Sequence, residues 1–117
     1  MTLHLNQVVL LVIINLLQNS LYWLEKVPEN LRAITVLLRP RGSDAFEILF
    51  SDSGPGVDAE YREVIFNPYF SLKPDGVGLG LVIAGEIITE FYNGELQLVE
   101  NGPLNGANFR IILSERG

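Results

Sequence analysis

Asp52-Ser53-Gly54-Pro55-Gly56 closes an alternating apolar stretch, so a carboxylate stands at a strand end beside a turn with two glycines. Gly54 and Gly56 let a ligand approach the backbone while Asp52 faces a pocket. A second cluster, Gly76-Val77-Gly78-Leu79-Gly80-Leu81, directly precedes a helical pattern. Free N–H groups and the helix dipole suit such a junction to an anion. Upstream, Asn15 and Asn19 lie one helical turn apart, two amides on one face. Each feature has an ordinary alternative. Asp52 could close an Asx turn. The second cluster could be a flexible loop and helix start. The asparagines could be amides satisfied by backbone. In this order, with Phe66-Asn67-Pro68-Tyr69-Phe70 between the glycine clusters, they describe one pocket.

Other chemistries are poorly served. Neither G-x-x-x-x-G-K-[ST] nor the G-x-G-x-x-G spacing of a dinucleotide fold occurs. His4 is a lone histidine without metal-ligand spacing. Tyr22 and Trp23 read as core or pocket wall.

The elements that position these residues follow from periodicity. The apolar run Val8 to Leu17 is too short to span a bilayer, and it lacks the flanks of a signal peptide. Its β-branched residues suit a strand. The longer pattern from Leu5 to Lys26, free of Gly and Pro, predicts a helix. Asn15, Gln18, Asn19 and Tyr22 then form one polar stripe that lines a site. Ala33 to Arg39 and Ala45 to Asp52 alternate around the turn cluster 40–44 and predict a hairpin. On them, Ile34, Val36 and Leu38 share one face, as do Phe46, Ile48 and Phe50. A short helix is expected over Ala59 to Phe66. A longer one runs from Leu79 to Tyr92, burying Leu79, Ile83, Ile87 and Phe91 with Glu86 and Glu90 outward, and Asn93-Gly94 closes it. Glu95 to Glu100 and Asn108 to Ser114 form a second hairpin. The fold class is α/β, a two-layer sandwich of a mixed, mainly antiparallel sheet with helices on one face.

Composition bounds the partners. The chain has 117 residues, which predicts one domain over 1–117. Its net charge of −6 disfavours nucleic acid, which needs Lys/Arg patches. The absence of cysteine removes disulfides and thiolate metal sites and fits a cytoplasmic location.

The motifs together resemble the catalytic and ATP-binding domain of bacterial sensor histidine kinases, in the superfamily shared with gyrase, heat-shock chaperones and mismatch-repair ATPases. Residues 14–20 resemble the N box, 52–56 the first glycine box, 65–70 the F box, and 71–81 a short-lid second glycine box of the nitrogen-regulation type. Gly106-Ala107-Asn108-Phe109 stands where the last box lies. The resemblance runs from about Leu5 to Leu113 and implies a Bergerat-type ATP-binding fold. Tyr22 stands where the N box often has a basic residue, Ser20 where alanine is usual, and Asn108 where Ser or Thr is usual. The domain ordinarily has a strand-helix-strand segment before the N box, so the resemblance implies an N-terminally truncated fragment. No phosphoacceptor-helix motif surrounds His4.

What the resemblance implies for the site is specific. Asp52 would accept a hydrogen bond from the adenine amino group, and Gly54 and Gly56 would let the nucleotide pack closely. Asn19 would coordinate Mg²⁺ between the ATP phosphates, with Asn15 beside it. Lys73, in a short lid after Phe70, would reach the terminal phosphate. Gly76, Gly78, Leu79 and Gly80 would wrap the phosphates, and Asn108 would stand on the adenine side. The implied activity is transfer of the γ-phosphoryl group to a histidine on a dimerisation domain outside the chain, with a response regulator downstream and no membrane contact by this domain. A non-catalytic nucleotide-binding module and an anti-sigma-type serine kinase are the alternatives. Removing the Asp52 carboxylate is expected to abolish binding with little loss of unliganded stability. A truncated sheet is expected to form a weak homodimer through its uncovered edge.

Overall fold

The computed structural model describes residues 7–67 and 80–114, apart from the side chains of Val8, Phe91 and Tyr92. The run with β-branched residues is a helix: α1 spans Gln7–Leu24. Val9, Val12, Leu16, Ser20 and Leu24 are its buried positions. Their spacing of three or four residues makes one stripe, and burial of that stripe outweighs the weak strand preference of the sequence. Leu10, Ile14, Leu17 and Leu21 form a second apolar stripe that is exposed.

The first hairpin pairs β1 (Ile34–Arg41) with β2 (Ala45–Asp52), in a register from Ile34↔Asp52 to Arg41↔Ala45. Gly42 turns it with φ +69, a conformation that favours glycine. The second hairpin pairs β3 (Glu95–Val99) with β4 (Asn108–Ser114). The sheet order is β1-β2-β4-β3, and every pairing among the described residues is antiparallel, in line with the expected mainly antiparallel sheet.

Alternation along β2 and β4 builds the core. Phe46, Ile48 and Phe50 lie opposite Leu113, Ile111 and Phe109, all buried on the helix-covered face. On this face α1 packs against α2 (Gly80–Tyr92), whose Ala84 and Ile88 are fully buried. The buried stripe of α2 therefore sits one position later than predicted, and Ile83 is exposed. The predicted short helix is a 3-10 turn, Ala59–Tyr61, followed by hydrogen-bonded turns. Val36 and Leu38 share the core-facing side with Phe50 and Ile48 but stay half exposed, because β1 is the sheet edge.

Helix α2 ends as predicted at Asn93-Gly94, with the roles divided. Asn93 takes the left-handed conformation (φ 50), and the Gly94 N–H donates to the Ile88 carbonyl at 3.2 Å. A Cβ on Gly94 would lie 1.7 Å from the Ile112 carbonyl oxygen, so close approach to β4 demands glycine there. On the other face of the sheet, Glu47 is buried among Arg39 (2.5 Å), Arg41 (3.0 Å) and Arg110 (3.8 Å).

Candidate functional site

Asp52 continues the inward row of Phe46, Ile48 and Phe50, and so reaches toward the helices at the end of β2. It is 2% exposed. Its Oδ1 accepts the backbone N–H of Gly54 at 2.9 Å and that of Ala107 at 3.0 Å. Its Oδ2 accepts the Ser20 hydroxyl at 2.6 Å. Three donors compensate the burial of the charge. A carboxylate has about four acceptor positions, so one remains, on Oδ2.

The backbone around Asp52 is equally fixed. Its N–H donates to the Ala107 carbonyl at 3.0 Å, and its carbonyl accepts the Gly106 N–H at 2.8 Å. A Cβ on Gly106 would lie 2.3 Å from Asp52 Oδ1 and 2.6 Å from the Gly54 nitrogen. A Cβ on Gly56, at φ +80, would lie 3.7 Å from the Gly106 carbonyl. A Cβ on Gly54 would stand 3.7 Å from that of Trp23, which places the indole's helix against the turn. Ser53 ties the preceding loop to the strand end, donating its hydroxyl to the Leu31 carbonyl at 2.8 Å and accepting the Ala33 N–H at 2.7 Å.

Asn15 and Asn19 are both half-buried on α1, and neither amide is hydrogen-bonded within the described residues. Among the described residues, no backbone group satisfies either amide. A Cβ on Gly80 would lie 3.7 Å from Asn15 Oδ1, so the start of α2 abuts this amide. Asn19 immediately precedes Ser20, which bonds to Asp52. The fold thus brings together Asn15, Asn19, Asp52, Gly54, Gly56 and Gly80. Phe70, Lys73, Gly76, Gly78 and Leu79 lie outside the described residues.

Asn108 does not join them. It pairs with Ser51 and so faces the opposite side of the sheet from Asp52. Its Oδ1 accepts the Ser51 hydroxyl at 2.5 Å, and its Nδ2 donates to the carbonyls of Leu104 (3.0 Å) and Gly106 (3.2 Å). Its amide is spent on holding the β3–β4 loop, which corrects the expected place on the adenine side. From the same box, Gly106 and the Ala107 N–H reach Asp52 instead. The sequence carried a signal for Gly106, a glycine entering a strand, but none for Ser20, whose partner is 32 positions away.

A cleft of about 610 Å³ runs along α2 between Phe66, Leu81, Val82 and Leu96. Glu86, Glu90 and Glu95 also line it, which disfavours a phosphate-bearing ligand, and it contains none of the residues above.

Comparison with known proteins bears on this arrangement. The family of histidine kinase-, DNA gyrase B-, and HSP90-like ATPases matches residues 4–117. The chain is 36% identical over 104 residues to the C4-dicarboxylate transport sensor protein DctB of Rhizobium meliloti (strain 1021), covering 89% of this chain and 16% of that protein. It is 40% identical over 84 residues to the sensor histidine kinase ZraS of Klebsiella oxytoca, covering 72% of this chain and 18% of that protein. The chain thus spans less than a fifth of either relative. Among solved structures, the nucleotide-free catalytic domain of histidine kinase ThkA superposes with a TM-score of 0.73 at 29% identity, covering 89% of this chain and 65% of that one. The mycobacterial sensor histidine kinase MprB gives 0.74 at 25% identity, covering 89% and 68%.

Proposed function

From the premise that the chain belongs to the histidine kinase-, DNA gyrase B-, and HSP90-like ATPase family, we propose that residues 1–117 form one ATP-binding domain, the catalytic module of a sensor histidine kinase. The observation that carries this reading is the Asp52 carboxylate, caged by three donors with one acceptor position left, on the strand that faces the Asn19 helix. An acceptor-only group with one vacancy suits an exocyclic amino group. Asp52 accepts that hydrogen from adenine, while Gly54 and Gly56 let the base lie close to the backbone.

Asn19 holds Mg²⁺. Its half-buried amide, not hydrogen-bonded to any described protein group, fits a hard cation that keeps several waters. When bound, the cation neutralises charge on the ATP phosphates. Asn15 stands beside it, and Lys73 with Gly76, Gly78, Leu79 and Gly80 carries the phosphates. An imidazole nitrogen of a histidine on a separate dimerisation domain attacks the γ-phosphorus. The lone-pair nitrogen forms the N–P bond, the bond to the bridging oxygen breaks and ADP leaves with those electrons, and the other ring nitrogen releases its proton to solvent. A response regulator then receives the phosphoryl group. No helix among the described residues is long and apolar enough to cross a membrane. The histidine kinase reading puts this domain in the cytoplasm, and the net charge of −6 argues against a nucleic-acid partner. The exposed stripe of α1 and the edge strand β1 support weak self-association.

The test supplies the chain with γ-labelled ATP, Mg²⁺ and a histidine-bearing dimerisation domain in trans. Acid-labile phosphohistidine on that domain is expected. Nucleotide binding without transfer, or phosphoserine on a partner, would overturn the histidine kinase assignment.

A further inference from the structure

Ser20 is the sole side-chain donor to Asp52 among the described residues; the other two donors are backbone N–H groups of turns. Those two both bind Oδ1, and by themselves they leave the carboxylate free to tilt about that oxygen. The Ser20 hydroxyl, 1% exposed, reaches Oδ2 at 2.6 Å and removes this freedom. Oδ2 is also the oxygen with the vacant acceptor position. The direction of the remaining lone pair is therefore set by Ser20.

We propose that Ser20 is a positioning residue for purine recognition, holding Asp52 Oδ2 so that its vacant lone pair meets the exocyclic amino group of adenine. The proposal rests on the nucleotide reading above and adds a discriminating role to a residue that could otherwise be a plain staple between helix and sheet. The two roles differ in what they affect. A staple that sets the height of α1 over the sheet acts on every nucleotide alike, because ribose, phosphates and the Asn19 amide are common to all. A device that aims Oδ2 acts only on bases carrying an amino group at that position.

The experiment titrates the full chain with ADP and with purine riboside 5′-diphosphate, which lacks the amino group, and compares wild type, Ser20→Ala and Ser20→Thr. Unliganded thermal melts accompany each titration. Loss of a hydrogen bond to a charged group predicts roughly tenfold weaker ADP binding by Ser20→Ala. Affinity for the amino-free analogue should stay nearly constant, so the ADP preference falls by the same factor, and Ser20→Thr should restore it. Equal weakening of both ligands, or an unchanged preference, would overturn the positioning role while leaving the nucleotide reading intact. Failure of the wild-type chain to bind either ligand would overturn the nucleotide reading and this proposal with it. If Ser20→Ala does not fold, the Ser20→Thr titration decides: a loss of ADP preference in a folded variant that keeps the hydroxyl would sink the idea.

Discussion

Gly106 and Asp52 are packed so tightly that a side chain at position 106 would have to displace the carboxylate or its strand. A Cβ there would lie 2.3 Å from the carboxylate oxygen and 2.4 Å from the Asp52 carbonyl oxygen. Both are held by further hydrogen bonds, so neither can yield cheaply. Gly106→Ala should cost about 1–3 kcal/mol, as overpacking does. It should also weaken ADP binding more than any substitution at exposed Gly42, where a Cβ meets nothing within 4 Å. Calorimetric melts and ADP titrations of the two variants check this.

Asp52→Ala should abolish nucleotide-dependent stabilisation. At a ligand concentration about 100 times the dissociation constant, wild type gains roughly 2.7 kcal/mol by linkage, and the variant should gain nothing. The geometry changes the expectation for the unliganded fold. Removing the carboxylate leaves the Gly54 and Ala107 N–H groups and the Ser20 hydroxyl without their acceptor. A loss of about 1–3 kcal/mol follows without ligand. Denaturant unfolding of both proteins measures it, and an unchanged midpoint would contradict the caged carboxylate.

Glu47 gives the fold an acid limb. Burial pushes its carboxyl up, but the Arg39 hydrogen bond and the charges of Arg39, Arg110 and Arg41 outweigh burial and hold it below the ordinary glutamate range. A depressed folded value means that the stabilisation is fully present above the unfolded carboxylate range. It is lost as the pH falls from the ordinary carboxylate range through the lower folded value. Glu47→Gln should therefore flatten the fall in melting temperature over that interval, and it should be less stable than wild type near neutrality. Identical acid limbs in the two proteins would count against it.

On the proposed reading, Asn15 would stand where the resemblance puts, in related hydrolases, a glutamate that orients and deprotonates water. An amide cannot act as a general base. The chain alone should therefore hydrolyse ATP very slowly, far below the order of 1 per second typical of kinase turnover. A phosphate-release assay measures this, and sustained turnover near that rate would argue against histidine as the normal acceptor.

Self-association should be weak and concentration-dependent. Leu10, Ile14, Leu17 and Leu21 on α1 are exposed, as are Val36, Leu37 and Leu38 on the edge strand. Such an edge offers unpaired N–H and C=O groups to a second chain. Light scattering after size exclusion is expected to show mass rising with concentration. Replacing Leu37 by Lys, which charges the edge, should lower it. A constant monomer mass would show that the edge protects itself.

What could be read from the sequence was what is local. Alternation gave β2, and the turn residues gave both hairpins. Asn93-Gly94 gave the end of α2, because a left-handed cap depends on one or two residues. Asp52 at a strand end is legible because its strand and its glycine turn are adjacent. What failed to show depends on register between distant segments. Whether Asn108 faces Asp52 or turns away is decided by its pairing with Ser51, and a shift of one residue reverses the answer. Val36 and Leu38 alternate like core residues, and only the strand order leaves them exposed. Ile83 and Ala84 compete for one buried stripe, and the crossing of α2 over α1 decides between them.

The three donors around Asp52 come from 32 residues upstream and from 2 and 55 residues downstream. The two distant ones, from Ser20 and Ala107, carry a loop-closure cost. The first hairpin and α1 can be in place while the carboxylate still has an open side, because Ala107 arrives only when β4 zips onto β2. Nucleotide recognition is therefore a checkpoint on completed folding rather than a property of any fragment. A partly folded chain is blind to ATP, and a ligand that closes over the finished pocket slows the chain's unfolding without hastening its folding.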